Sequence, residues 1–214
     1  MKVSKRIFNL ETETAFAVLA KANKLKSEGK DIINLGIGQP DFPTPQNIVE
    51  AAIKALRDGH HGYTPSNGII ELREAVSRNI YKKYQENVNP ENILITPGGK
   101  PVIFFSTLIF GDKDKEIIYP DPGFPIYRSM IKYSGAKPVP LVLDEADDFQ
   151  INIEKLKKLI NQKTSLIIIN NPNNPTGSFM SKNKINDLIE IFNEHPKVYI
   201  LSDEIYSKII FNNN

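Results

Sequence analysis

The sequence predicts an α/β fold in which a mostly parallel sheet carries helices on both faces. Three observations carry that reading. From Ile93 onward, short apolar segments alternate with longer amphipathic ones, the pattern of strand–helix–strand units. Two of the short segments, Leu166-Ile167-Ile168-Ile169 and Val198-Tyr199-Ile200-Leu201, are apolar without a break, as a strand covered on both faces would be. Finally, four of the five strand segments run into Gly, Pro, Asn or acidic residues, which end regular structure where parallel sheets gather their ligands.

The elements follow in order. Residues 11–29 read as an amphipathic helix closed by Gly29, with Ala15, Val18, Leu19, Ala22 and Leu25 on a 3.6-residue period. Asp31-Ile32-Ile33-Asn34-Leu35 is a short apolar segment leading into the Gly- and Pro-rich stretch 36–43. Thr44-Pro45 opens a helix to about Arg57, with threonine as N-cap and proline in the first turn. A loop over 59–68 precedes a helix from Ile69 to Gln85, with Leu72, Ala75, Val76 and Ile80 facing inward. Strands are expected near Ile93–Thr96, Glu116–Tyr119, Lys137–Leu141, Ser165–Asn170 and Val198–Ser202. Helices are expected near Gly99–Phe110, Phe124–Tyr133, Ile153–Ile160 and Lys182–Phe192. A strand-like Ile209-Ile210-Phe211 comes shortly before the terminal asparagines.

Composition narrows the chemistry. The 214 residues, 40% hydrophobic and 24% charged, suffice for one or two domains with an apolar core. There are no cysteines, which excludes disulfides, cysteine-ligated metals and a thiol nucleophile. The three histidines, His60, His61 and His195, leave little room for a metal site, and none is assigned. A net charge of +2 makes no electrostatic case for nucleic acid or an anionic membrane as partner. No apolar run has the length of a signal peptide or a membrane span, so a cytoplasmic location is expected.

Four strand ends hold the candidate chemistry. Pro97-Gly98-Gly99-Lys100-Pro101 opens a helix, and free amides at a helix start favour an anion such as phosphate; a tight turn with a solvated lysine is the alternative. Pro120-Asp121-Pro122-Gly123-Phe124 sets a ring on a rigid turn, to stack on a planar ligand or to pack on its own helix. Asn171-Pro172-Asn173-Asn174-Pro175-Thr176-Gly177 holds an extended, turning backbone with amide side chains, or is simply a polar loop. Ser202-Asp203-Glu204-Ile205-Tyr206 puts a carboxylate at the mouth of an apolar strand, which is costly without a cationic or hydrogen-bonding partner. A capping or ion-paired carboxylate, or a magnesium ligand, are the other readings of Asp203. Together the groups suit a planar aromatic ligand with a phosphate, a phenolic oxygen and a basic ring nitrogen.

On these residues the chain resembles the pyridoxal-phosphate-dependent class I/II aminotransferases of fold type I, in their bacterial aspartate aminotransferase-like branch. The resemblance runs from about Asp31 through Phe211. It rests on Gly36-Ile37-Gly38-Gln39-Pro40-Asp41-Phe42, Tyr63-Thr64-Pro65, Gly68 with Glu71-Leu72-Arg73, Gly98-Gly99-Lys100, the Asn171–Gly177 run and Ser202–Tyr206. It implies that Asp203 pairs with the cofactor's pyridine nitrogen, that Asn174 and Tyr206 hydrogen-bond its phenolic oxygen, and that Phe124 stacks on its ring. It also implies that amides at Gly99 and Lys100 hold the phosphate. Tyr63 is then expected to reach the phosphate of the other subunit of a homodimer, with Gly38 and Asn174 lining the substrate carboxylate pocket. Amino acids and 2-oxo acids are the substrates it implies.

The family's Schiff-base lysine and the arginine for the substrate carboxylate lie beyond the Asp-Glu-Ile-Tyr motif, past residue 214, and Lys208 reads as a solvated strand lysine. No catalytic residue is therefore assigned. The chain is expected to be the amino-terminal portion of an aminotransferase, inactive alone, with 1–45 an arm and part of a small domain. Residues 46–214 would be an incomplete cofactor-binding large domain, lacking its last two strands and the carboxyl-terminal small domain. Strands Ile93–Thr96 and Val198–Ser202 would then flank a gap rather than pair, leaving apolar surface exposed. A lyase or acyl transferase on the same fold, or a non-catalytic phosphate- or partner-binding α/β piece, are the competing functions.

Overall fold

The computed structural model describes residues 3–10 and 14–211. The chain divides into two compact units, Thr14–Pro97, and Met1–Glu13 together with Gly98–Asn214.

In the first unit, α1 (Thr14–Ser27), α2 (Gln46–Arg57) and α3 (Ile70–Tyr84) are joined by irregular segments. The expected start of α1 at Glu11 lies outside the described residues. Pro45, not Thr44, caps α2: its extended backbone offers a carbonyl to the Ile48 and Val49 amides, with no side-chain cap. The face expected to turn inward on α3 is only partly buried, since Leu72 and Ala75 are exposed. Its buried residue is Arg73, whose Nε donates to the Gly68 carbonyl at 3.1 Å and whose guanidinium reaches the Pro90 carbonyl at 2.9 Å. A buried guanidinium is tolerable because backbone carbonyls and Glu91 meet it. Residues 93–96, expected as a strand, form none. Instead the Ile95 amide donates to the Asn67 carbonyl at 3.1 Å, so a turn rather than a sheet neighbour satisfies it.

The second unit is the predicted α/β sheet. Strands β1 (Glu116–Asp121), β2 (Lys137–Val142), β3 (Thr164–Asn170) and β4 (Tyr199–Asp203) lie in the order β2-β1-β3-β4, all parallel. Helices α4 (Lys100–Phe110), α5 (Ile126–Ser134), α6 (Ile153–Leu159) and α7 (Lys182–Glu194) accompany them. The two-residue side-chain period sorts the apolar residues onto opposite faces. Ile117, Tyr119, Leu166 and Ile168 pack with Ile103 of α4 and Tyr127 and Ile131 of α5. Ile118, Ile167 and Ile169 pack with Leu156 of α6 and Leu188 and Ile191 of α7. Helices therefore cover both faces, and the helix layer changes side between β1's two neighbours. Such a reversal opens a crevice at the carboxyl ends of the strands.

The two edges of the sheet differ. Edge strand β2 carries Pro138 and Pro140, which cannot donate to a further strand. Strand β4 pairs with β3 alone among the described residues. Its apolar run was expected to be covered on both faces like β3, yet Tyr199 is 58% and Ile200 38% exposed; a strand with one neighbour keeps less cover. Beyond it, residues 204–211 form turns rather than a further strand, and Lys208 is an exposed turn residue.

Glu116 anchors the start of β1, accepting from Asn161 Nδ2 at 2.8 Å and from Lys137 Nζ at 2.9 Å. The Asn161 hydrogen bond, then that of Lys137, holds its carboxyl below the ordinary carboxylate value. A lowered folded value means stability that is present above the unfolded pKa and is lost as pH falls through the folded one. Urea unfolding followed from neutral pH downward is expected to show a loss of stability beginning near about pH 4.5. That slope should be shallower in Glu116→Gln; equal slopes would exclude the anchoring role.

Candidate functional site

Four backbone features bring polar groups to one end of the sheet. After β1, a Cβ at Gly123 would lie 2.2 Å from the Pro120 carbonyl oxygen, so only glycine fits the turn that launches α5. That turn presents Phe124, whose ring meets Tyr127 edge-on, 5.8 Å between centroids and 87° between planes. After β3, residues 173–178 close on themselves: the Asn173 amide donates to the Ser178 carbonyl and the Gly177 amide to the Asn173 carbonyl, both at 2.8 Å. The Asn173 side chain, buried inside, accepts from the Thr176 hydroxyl at 2.8 Å, which holds Asn174 outward on the loop.

After β4, the Asp203 carboxylate accepts from the Ile205 amide at 3.2 Å, and the turn that follows returns Tyr206 to the same side. Asn174 Nδ2 reaches the Tyr206 hydroxyl at 3.5 Å. The fourth feature is the start of α4, where Gly98 adopts φ +88°, a conformation open to glycine, and Gly99 caps the helix. The first amides of such a helix have no partner inside it.

These elements enclose a cleft of about 330 Å³, within the range of small-molecule sites. Gly99, Lys100, Phe124, Asn174, Asp203 and Tyr206 all line it, with Val102, Ile103, Leu201 and Ile205 as apolar wall. Thus six residues singled out from the sequence converge in space although they span Gly99 to Tyr206. Gly38 and Tyr63 belong to the Thr14–Pro97 unit, where both are exposed. The Phe124 ring lines the cleft and also packs beside the α4–α5 core.

Two residues of the site were not anticipated. Tyr127, wholly buried, donates its hydroxyl to Asp203 Oδ2 at 2.6 Å. It stands one helical turn after Phe124 and so shares its face, a spacing the sequence displays. Asn170, the last residue of β3, also lines the cleft; its position inside an apolar strand concealed it. Each Asp203 carboxylate oxygen thus has one protein donor, which answers the cost of placing a charge beside apolar walls. The arrangement offers a fixed anion, an aromatic face, an amide–phenol pair and helix-start amides around one space. A flat ring with a cationic nitrogen, a phenolic oxygen and a phosphate matches that donor and acceptor set.

Burial first, and then the hydrogen bond to Asp203, push the Tyr127 phenol well above its ordinary value. A raised folded value gives stability that is full below the unfolded pKa of about 10 and is lost as pH rises beyond it. Alkaline denaturation is therefore expected to steepen above about pH 10 in the parent chain and to flatten in Tyr127→Phe. The same alkaline slope in both would show that the phenol is not held as described.

Residues 30–214 match the family model of aminotransferase class I and II. The chain is 37% identical over 211 residues to the aspartate aminotransferase of Bacillus subtilis, covering 99% of this chain and 53% of that protein. To the (5-formylfuran-3-yl)methyl phosphate transaminase of Methanocaldococcus jannaschii it is 40% identical over 209 residues, covering 98% and 53%. The aspartate aminotransferase of Thermus thermophilus, solved with maleate, superposes with a TM-score of 0.95 at 32% identity, over all of this chain and 56% of that one. The chain spans about half the length of the curated relatives it matches. Its fold is that of the aspartate aminotransferases, and the chain belongs to the class I and II family of pyridoxal-phosphate-dependent aminotransferases.

Proposed function

We propose that the chain supplies the cofactor-binding half of a transaminase that moves an amino group between an amino acid and a 2-oxo acid. The observation that carries this reading is the convergence of Asp203, Asn174, Tyr206, Phe124 and Gly99 on one cleft. Asp203 would hold the ring nitrogen of pyridoxal 5'-phosphate, Phe124 would lie against the ring, and Asn174 and Tyr206 would meet the phenolic oxygen. Amides at Gly99 and Lys100, at the start of α4, would take the phosphate. When bound, the cofactor supplies an electron sink for the bonds at the substrate's α-carbon.

The protein's own part is to set that sink's charge and orientation. Asp203, an anion held between the Tyr127 hydroxyl and the Ile205 amide, favours a proton on a nitrogen beside it. Both donors keep the carboxylate in place, so little reorganisation is needed on binding. Asn174 and Tyr206 favour the ionised phenolic oxygen by donating to it. Val102, Ile103 and Leu201 would give one side of the ring an apolar wall.

Lys100 is the lysine among the lining residues, and its backbone belongs to the phosphate end. We therefore assign the covalent lysine, and the arginine for the substrate carboxylate, to a part of the enzyme outside residues 1–214. On this reading residues 1–45 form the amino-terminal arm and part of a small domain, and 46–214 part of the large domain. The enzyme is a cytoplasmic homodimer in which the exposed Tyr63 serves the phosphate site of a second copy, and Gly38 with Asn174 lines the substrate carboxylate.

Pyridoxamine 5'-phosphate, which has no aldehyde to react with surface lysines, tests the reading through its ring fluorescence. Saturable binding by the 214-residue chain is expected, weakened roughly tenfold or more by Asp203→Asn. Identical affinity for parent and variant would dismiss Asp203 as the nitrogen's partner.

A further inference from the structure

The ring-facing groups sit on two separate segments, Asn174 on the loop after β3 and Asp203 with Tyr206 after β4. One side chain joins them. Asn170, 7% exposed, donates from Nδ2 to the Asp203 backbone carbonyl at 3.1 Å and accepts at Oδ1 from the Asn174 amide at 2.7 Å. The circuit then closes through the Asn174 side chain, which donates to the Tyr206 hydroxyl at 3.5 Å. Asn170 also stands opposite Asp203 in the parallel ladder, and the Asn171 amide gives the same Asp203 carbonyl a second donor at 3.1 Å.

We infer that Asn170 is a positioning residue, which fixes the spacing between the Asp203 carboxylate and the Asn174–Tyr206 pair and so couples the two polar edges of the bound ring. This inference rests on the cofactor reading above. The orientation of its amide is determined by its neighbours: turned over, its NH₂ would face the Asn174 N–H and its oxygen the Asp203 carbonyl. Only a side chain with one donor and one acceptor at this reach satisfies both segments. A carboxylate of the same shape would keep the bond from Asn174 but set an oxygen against the Asp203 carbonyl with no proton between them. Burial makes that mismatch expensive. The ladder would persist, because its backbone hydrogen bonds do not use the side chain. What shifts is the relative height of the two ring-facing groups.

The test compares the 214-residue chain with Asn170→Asp, reading pyridoxamine 5'-phosphate affinity and the pH midpoint of the bound ring's absorption change. The variant is expected to bind roughly tenfold more weakly and to move the midpoint for the phenolic oxygen upward by about one unit, while its circular dichroism stays that of the parent. A merely structural role would lower the melting temperature and leave the midpoint of the bound fraction in place, which overturns the inference. Binding by the parent with an unchanged variant also overturns it, alone. Absence of binding by the parent overturns the cofactor reading and this inference together. If the variant does not fold, hydrogen exchange in the parent decides. The Asn174 amide should be protected well beyond the exposed loop amides, and rapid exchange there would contradict the link.

Discussion

The parallel pairing of β3 with β4, in the register that sets Asn170 beside Asp203, is the constraint on which the site depends. Strand β3 is buried along almost its whole length, so a slip of one residue would turn its entire apolar set from one helix layer to the other. Leu166 and Ile168 pack toward α4 and α5, and Ile167 and Ile169 toward α6 and α7. Once that register holds, the ends of both strands lie level. The polar residues that follow them have no choice but to share one space.

Burial and polarity divide along the strands. The apolar run supplies the rigidity, and the polar residue at the end of each strand faces the cleft: Asn170 on β3, Asp203 on β4. A carboxylate at that depth is sustained by hydrogen bonds rather than by a countercharge. Tyr127 and the Ile205 amide together occupy one lone pair on each oxygen, leaving the anion directed at the cleft. This is the electrostatic arrangement that a protonated pyridine ring would complete, and it is assembled from residues fixed by the core. Tyr127 belongs to the buried cluster itself, so the packing of the sheet and the electrostatics of the cleft are one structure.

Much of this was legible from residue order. The alternation of elements gave the parallel sheet, and β1, β2, β3 and β4 appear within a residue or two of their expected bounds. The six cleft residues could be chosen because each followed a short apolar segment. What escaped were features that depend on a neighbour. Residues 93–96 have strand composition, but a strand requires a partner, and the Ile95 amide turns to Asn67 while that of Ile93 turns to Pro90. The apolar run of β4 resembles that of β3, but cover depends on a second neighbour that composition cannot supply. Arg73 defies the rule that charged residues stay outside because three oxygens from distant positions meet it. Tyr127 and Asn170 were hidden for a related reason: one reads as a helix core residue, the other as the end of a strand, and both are so while also lining the cleft.

The central claim is that Asp203 faces a ring nitrogen and holds it protonated. Pyridoxamine phosphate carrying a spin-active isotope at that nitrogen, bound to the chain, reports the proton directly through its nuclear resonance. The account predicts the shift of a protonated pyridinium persisting at neutral to mildly alkaline pH, and its collapse toward the neutral ring in Asp203→Asn. A bound ring with the neutral shift in the parent chain would mean that the carboxylate serves something else.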